Sequence, residues 1–175
     1  MTGSQIPLAH QRALIEIHRR LQDIRWAITG SVGLALQGVD VEVHDIDLQA
    51  DAPGAYAIER CLSEFVTRPV RFSEAARVRS YFGALSVLGI SVEIMGEVQT
   101  RAAGGAWQEP PDMQIETLWV QAFGLQLPVL SLTWEQQAYL RRGILEKALL
   151  IEQYLEAHPH CPGRRQGSGE IAQDT

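Results

Sequence analysis

The chain has 175 residues, of which 46% are hydrophobic, and its formal net charge is -6. This size and composition fit one domain with an apolar core and argue against a disordered chain. The acidic balance disfavours nucleic acid as a partner, no apolar run is long enough to span a membrane, and the start of the sequence does not read as a signal peptide. Two distant cysteines form no disulfide framework, so we expect a cytoplasmic protein.

The first 65 residues are predicted to alternate helices and strands. Leu14 and Ile17 lie at helical spacing, and Pro7 suits the first turn of a helix. A second helix would be capped by Ser31 and closed by Gly38. The predicted elements are a helix over 7–22, a strand over 25–29, a helix over 31–38, a strand over 44–50 and a helix over 52–65.

The following 92 or so residues are predicted to be mostly β and then helical. Two short strands are expected around Gly124, and Gly143 is the weak point of a long apolar helical stripe. The predicted elements are strands over 77–89 and 90–98, a Gly/Pro-rich loop over 99–112, two strands within 113–132 and one helix or a broken pair over 133–157.

These elements indicate an α+β (α/β-like) domain with a short helical segment at its C-terminal end. We expect the mixed domain to cover residues 1–131 and the helical segment to cover 132–157. Residues 158–175 contain few apolar side chains and many turn formers, which is typical of a disordered tail.

Two aspartates mark the predicted strand "HDIDLQA" as unusual. Asp45 and Asp47 are two positions apart, so on a strand both side chains point to the same face. Adjacent carboxylates repel each other and raise each other's pKa unless a cation lies between them. Solvated acids at a strand end are the simpler alternative, but Ile46 and Leu48 suggest a strand that runs through the core. We therefore predict a divalent metal site at Asp45 and Asp47.

A glycine and a serine, Gly30 and Ser31, follow the strand before this pair and begin a predicted helix. Glycine permits close approach of a ligand, and a helix start offers free N–H groups to an anion. An ordinary capped helix would explain these two residues alone. Beside paired carboxylates, however, they favour a site for a nucleoside triphosphate with Mg²⁺.

A third acid, Glu93, lies between Val92 and Ile94 on a later predicted strand. A lone charge in an apolar strand requires a reason, and Glu93 could bind a shared metal or accept a proton. Glu97 is the competing candidate, but it follows Gly96 near the strand end, so Glu93 is preferred.

The stretches "ITGSVGLALQG", "HDIDLQ" and "VEIMGE" resemble the nucleotidyltransferase superfamily with the DNA polymerase β-like palm. The small bacterial branch that includes aminoglycoside and lincosamide nucleotidyltransferases is similar in size and layout. The resemblance covers residues 26–96 and extends loosely to the late helical region. It implies a mixed palm sheet flanked by helices, with Gly30 and Ser31 at the triphosphate. It also implies that Asp45, Asp47 and Glu93 bind two Mg²⁺ ions, with Glu93 as metal ligand or base.

The function expected from this resemblance is transfer of a nucleoside monophosphate from an NTP, ATP by default, to a hydroxyl, with release of pyrophosphate. The acceptor would be a small molecule or a protein side chain, and a homodimer is compatible with the layout. Lys147 is a further candidate contact to the triphosphate, and Arg77 and Arg79 are weaker ones. The short helical region after residue 132 counts against an antibiotic acceptor.

A second hypothesis is a binding or regulatory module that keeps the fold without catalysis, such as one partner of a toxin–antitoxin pair. Such a module is expected to lose at least one of the three acids. Asp45, Asp47 and Glu93 are all present, which favours the enzyme.

Overall fold

In the computed structural model, which describes residues 6–164, the chain forms six α-helices, a 3₁₀ turn and seven strands. The helices are α1 (Leu8–Arg20), α2 (Gly30–Leu36), α3 (Ala52–Cys61), α4 (Met113–Glu116), α5 (Leu132–Arg142) and α6 (Leu145–Ala157). The strands are β1 (Ala27–Thr29), β2 (Ile46–Ala50), β3 (Val66–Glu74), β4 (Val78–Val87), β5 (Ile90–Thr100), β6 (Thr117–Ala122) and β7 (Leu125–Leu130).

All the described strands belong to one mixed sheet with the order β3-β4-β5-β2-β1-β7-β6. The central strand β2 pairs with β1 in antiparallel and with β5 in parallel orientation. The predicted α+β class is confirmed. Among residues 6–164, the helices lack the length and the hydrophobicity that a membrane span requires.

The two faces of β2 have opposite characters. Ile46 and Leu48 are fully buried and pack in the main core with residues of α1 and α3, such as Ile17 and Ile58. Asp47, which lies between them in sequence, points to the opposite face because side chains alternate along a strand. The apolar face thus anchors the strand that presents the acid.

Helix α2 begins two residues earlier than the predicted cap at Ser31 implies. Its N-cap position is Thr29, and Gly30 is the first helical residue, with a φ of 67°. Ser31 is therefore not the capping residue; its hydroxyl instead accepts a hydrogen bond from the backbone N–H of His44 (3.1 Å). At the other end, Gly38 has a φ of 93° and ends the helix as predicted.

Two further elements were not predicted. Strand β3 was not predicted, because Pro69 and the surrounding charged residues mask an edge strand whose exposed face tolerates them. Residues 113–116, ahead of the two strands predicted within 113–132, form helix α4; Asp112 caps this helix by accepting a hydrogen bond from the Gln114 N–H. The turn around Gly124 joins β6 to β7 as predicted.

The late helical region is a pair that breaks at Gly143, whose φ of 75° closes α5. The two helices share a second cluster of buried side chains with α2, including Leu34, Tyr139 and Ile151. Residues 158–164, the first part of the predicted tail, form turns, and Cys161 packs against this cluster. The rest of the predicted tail, 165–175, lies outside the described residues.

Candidate active site

Two carboxylates meet across the centre of the sheet. The register of the parallel strands β2 and β5 pairs Asp47 with Glu93. Registered residues on neighbouring strands point to the same face, so both carboxylates lie opposite the apolar core. On the other flank of β2, Thr29 is the register partner of Asp47, which adds a hydroxyl to this face. The structure thus brings two of the predicted acids together.

The third predicted acid, Asp45, lies at the edge of this pair. It is exposed and occupies a bend one residue before β2, not the strand itself. Its negative charge raises the pKa of both Asp47 and Glu93. Such an effect requires proximity, so the three acids share one electrostatic site.

Burial and like charge act together on this site. The pKa of Asp47 is raised to about 7, first by burial and then by the charges of neighbouring acids. Glu93 has the largest effect among them, followed by Glu135 and Asp45. The pKa of Glu93 is raised by burial and by Asp45, whereas a hydrogen bond with Asp47 lowers it. The repulsion between these carboxylates is therefore unfavourable, and a bound cation would relieve it.

A fourth carboxylate, Glu135 on α5, was not predicted from the sequence. It is only 5% exposed, and its Oε1 accepts hydrogen bonds from the Gly30 N–H (3.0 Å) and from the Thr29 hydroxyl. Burial raises the pKa of Glu135 to about 7, while these hydrogen bonds act in the opposite direction. A signal was present in the sequence, since Leu132, Glu135 and Tyr139 have the spacing of one helix face.

The start of α2, which was predicted to bind an anion, already makes hydrogen bonds within the protein. Gly30 lies against Asp47 so closely that a Cβ at position 30 would overlap the Asp47 Oδ2 atom. The Gly30 N–H is directed to Glu135, and Ser31 is buried with its hydroxyl bonded to the His44 N–H. Gly30 therefore borders the acids, while Ser31 supports the segment that leads to β2.

Lys147 on α6 lies near the acids. Its positive charge lowers the pKa of both Asp47 and Glu135, and its Nζ is 5.4 Å from the centre of the Tyr139 ring. Glu97, the competing third acid, is exposed at a bulge with a φ of 53° and does not line the cavity described next.

The acid-bearing face borders a cavity of about 270 Å³ between the sheet and α5. One end is formed by Thr29, Gly30, Asp47, Glu93 and Glu135. Away from this acid end, the lining continues with Gln49, Met95, Ser80, Phe82, Thr100 and Arg79. Arg142 also lines the cavity and is near enough to Glu135 for its charge to lower the pKa of that acid. Asp45 and Lys147 are close to the acids but are not part of the lining.

The donor chemistry of the acids fits magnesium, which prefers carboxylate oxygens. Among residues 6–164, Asp45, Asp47 and Glu93 form no ion pair with a basic side chain. Within the same range, no group of three or more histidine, cysteine, aspartate or glutamate side chains is already arranged to hold a metal ion. Asp47 and Glu93 thus lie side by side, whereas Asp45 does not complete a three-ligand metal site with them.

This fold, with a carboxylate pair on two central strands beside a glycine at the start of α2, is that of the nucleotidyltransferases. The chain belongs to the aminoglycoside-2''-adenylyltransferase family, whose sequence model matches residues 13–152. The resemblance predicted from the motifs is thereby confirmed.

Solved structures agree with this assignment. A Thermotoga maritima protein provisionally assigned as a nucleotidyltransferase is 46% identical, covers 87% of this chain and 96% of its own, and has a TM-score of 0.75. ANT(2'')-Ia, in complex with adenylyl-2''-tobramycin, has a TM-score of 0.55 at 11% identity, over 86% of this chain and 90% of its own. The lincomycin-bound lincosamide adenylyltransferase LnuA has a TM-score of 0.52 at 9% identity and covers 85% of this chain and 98% of its own. The last two likenesses concern the fold alone. No curated protein matches the chain.

Proposed function

We propose that the protein is a magnesium-dependent nucleotidyltransferase that transfers a nucleoside monophosphate from an NTP, ATP by default, to a hydroxyl and releases pyrophosphate. The observation that carries this proposal is the register pair Asp47 and Glu93, which places two carboxylates side by side at one end of a cavity. Membership of an adenylyltransferase family supports the same class of reaction.

Asp45, Asp47 and Glu93 would hold the magnesium, with two ions expected for this reaction class. When bound, magnesium neutralises the charge that develops on the phosphates during transfer. The chain contributes an arrangement in which burial and mutual repulsion already raise the pKa of Asp47 and Glu93. A cation between these carboxylates would remove that repulsion.

Glu93 would also accept the proton of the acceptor hydroxyl on its carboxylate. Its raised pKa makes it a stronger base than an exposed glutamate. The acceptor oxygen then forms a bond to the α-phosphorus, the bond from that phosphorus to the bridging oxygen breaks, and pyrophosphate leaves with the electron pair. Because Glu93 lies beside Asp47, the proton is taken up next to the site of transfer.

Gly30, Ser31 and Lys147 are proposed to hold the triphosphate. Lys147 supports this role because its charge already acts on Asp47. The Gly30 N–H is bonded to Glu135, so an incoming phosphate would have to displace that carboxylate. Ser31 would contribute mainly by fixing the start of α2, since its hydroxyl is bonded to the His44 N–H.

The acceptor is proposed to be a small molecule or a protein side chain that carries a hydroxyl. The antibiotics bound to ANT(2'')-Ia and LnuA make aminoglycosides and lincosamides the first compounds to test. We further propose a palm domain over residues 1–131, a helical segment over 132–157, a cytoplasmic site of action and a homodimer.

The experiment is incubation of the full chain with NTPs labelled at the α-phosphate, Mg²⁺ and a panel of aminoglycosides, lincosamides and cell-extract proteins. Label should move from the NTP to one acceptor class, and the Asp47→Asn variant should abolish this transfer. Glu97→Gln is the matched control, because it removes a carboxylate from the same strand as Glu93 but outside the cavity. Full transfer by Asp47→Asn would refute the assignment.

A second candidate is a nucleotide-binding module without turnover, of the toxin–antitoxin type. One observation favours it, namely that Glu135 occupies the Gly30 N–H that a phosphate would use. This candidate predicts that ATP with Mg²⁺ stabilises the protein against heat without any transfer of label. Label found on an acceptor would rule it out.

A further inference from the structure

Arginines from two different elements lie along the cavity that the acids border. Arg79 on β4 and Arg142 on α5 both line it. The guanidinium groups of Arg79 and Arg101 lie 4.6 and 4.2 Å from the centre of the same Trp107 ring. Arg141, next to Arg142, donates a hydrogen bond to the Thr100 hydroxyl (2.8 Å). Two walls of the cavity therefore present positive charge.

Within the described residues these guanidinium groups have few close anionic partners, although the charge of Arg142 lowers the pKa of Glu135. In the described part of the chain, Arg79 has a 3.6 Å contact with Glu74, and both side chains are partly exposed. No carboxylate of residues 6–164 lies within 4.0 Å of the guanidinium groups of Arg101 or Arg142. Exposed ion pairs are weak, and stacked arginines repel each other. Such a cluster in a chain of net charge -6 is suited to an anionic ligand.

A buried amide in the same cavity gives a second, independent indication of a ligand. Gln49 is 4% exposed and lines the cavity. Its Nε2 atom has no hydrogen-bond partner among the described residues. A buried donor without a partner is costly, and such groups usually have a partner that the structure lacks. An oxygen atom of a ligand in the cavity would satisfy it.

We propose that Arg79, Arg142 and Gln49 form a binding site for an anionic group, phosphate or carboxylate, carried by the acceptor or by the nucleotide. The proposal rests on the proposed function only in placing this group in the same cavity as the reacting acids. Its consequence for the substrate class is that the two arginines disfavour a polycationic acceptor and favour one that is neutral or anionic near them.

The test is isothermal titration of the full chain, without magnesium, with inorganic tripolyphosphate as the phosphate probe and citrate as the carboxylate probe. Arg79→Gln and Arg142→Gln should each weaken binding of at least one probe by about tenfold or more, because a charge-assisted hydrogen bond is lost. Gln49→Leu should weaken binding and at the same time raise the melting temperature, since it removes an unpaired buried donor.

Arg19→Gln is the control, because Arg19 is exposed on α1 and pairs with Glu16. The proposal is overturned if the wild type binds neither probe, if the cavity variants bind as tightly as the wild type, or if Arg19→Gln weakens binding equally. Repeating the titration with ATP and Mg²⁺ bound distinguishes an anionic group of the nucleotide from one of the acceptor. Loss of probe binding then assigns the site to the nucleotide, and retained binding assigns it to the acceptor. Since no turnover is measured, failure of the transferase proposal would leave this result intact.

Discussion

The Gly30 N–H donates a hydrogen bond of 3.0 Å to Glu135, which lies 105 residues later in the chain. The same carboxylate accepts the Thr29 hydroxyl, so α5 is joined to the junction between β1 and α2 through one buried acid. Glu135 also raises the pKa of Asp47. This contact therefore links the helical segment to the acids of the sheet.

Glu135→Gln should flatten the pH dependence of stability. Burial raises the pKa of Glu135 from 4.5 to about 7, so the folded state binds this proton more tightly than the unfolded state. The resulting stabilisation is fully present below pH 4.5 and is lost as the pH rises through about 7. Over this pH range the free energy of unfolding should therefore fall by roughly 3 kcal/mol less in the variant than in the wild type. Urea titrations at each pH measure this difference. An unchanged slope, or an equal effect of the exposed-site control Glu152→Gln, would contradict this.

Asp47→Asn should make the protein more stable at pH 8 while it removes transfer. The pKa of Asp47 is raised to about 7, which means that the charged form is disfavoured in the folded protein above that pH. Asparagine has the same shape without the charge, so a gain on the order of 2 kcal/mol is expected at pH 8. The gain should shrink toward pH 4, where the aspartate is protonated in the folded state. Thermal melts at both pH values test this, and a variant less stable than the wild type at pH 8 would oppose it.

Magnesium should stabilise the wild type and not Asp47→Asn. A ligand that binds only the folded state raises stability by mass action, and the repelling carboxylates are its expected site. Melting curves should therefore shift upward with millimolar Mg²⁺ for the wild type and for Glu97→Gln, and the shift should disappear with a chelator. An equal shift in Asp47→Asn would place the ion elsewhere.

Gly30→Ala should be far more destabilising than Gly89→Ala. Both glycines have positive φ values, 67° and 82°, so alanine strains the backbone at either position by about 1 kcal/mol. Only at position 30 would the new Cβ also overlap the Asp47 carboxylate, because nothing lies within 4 Å of a Cβ at position 89. The difference in the free energy of unfolding should reach roughly 2 kcal/mol or more. Similar values for the two variants would mean that Asp47 moves aside freely.

The acids show how much of the site can be predicted from neighbouring residues alone. Asp47 sits between the buried Ile46 and Leu48, and Glu93 sits between Val92 and Ile94. Alternation along a strand is a local rule, so the face of each acid could be predicted. Asp45 shows the limit of that rule, since it falls in a bend before the strand and not on it. The parallel pairing that sets Asp47 beside Glu93 was a hypothesis, because residues 51–89 lie between the two strands.

The sequence by itself determined the elements that local spacing defines, together with the glycine-serine and aspartate motifs that indicate the nucleotidyltransferase superfamily. Only the tertiary structure decided that Glu135 takes the Gly30 N–H, that Ser31 supports His44 and that arginines of β4 and α5 face one cavity. The physical reason is that alternation and helical period act over a few residues. Pairing of a buried donor or charge depends instead on which distant segments pack together.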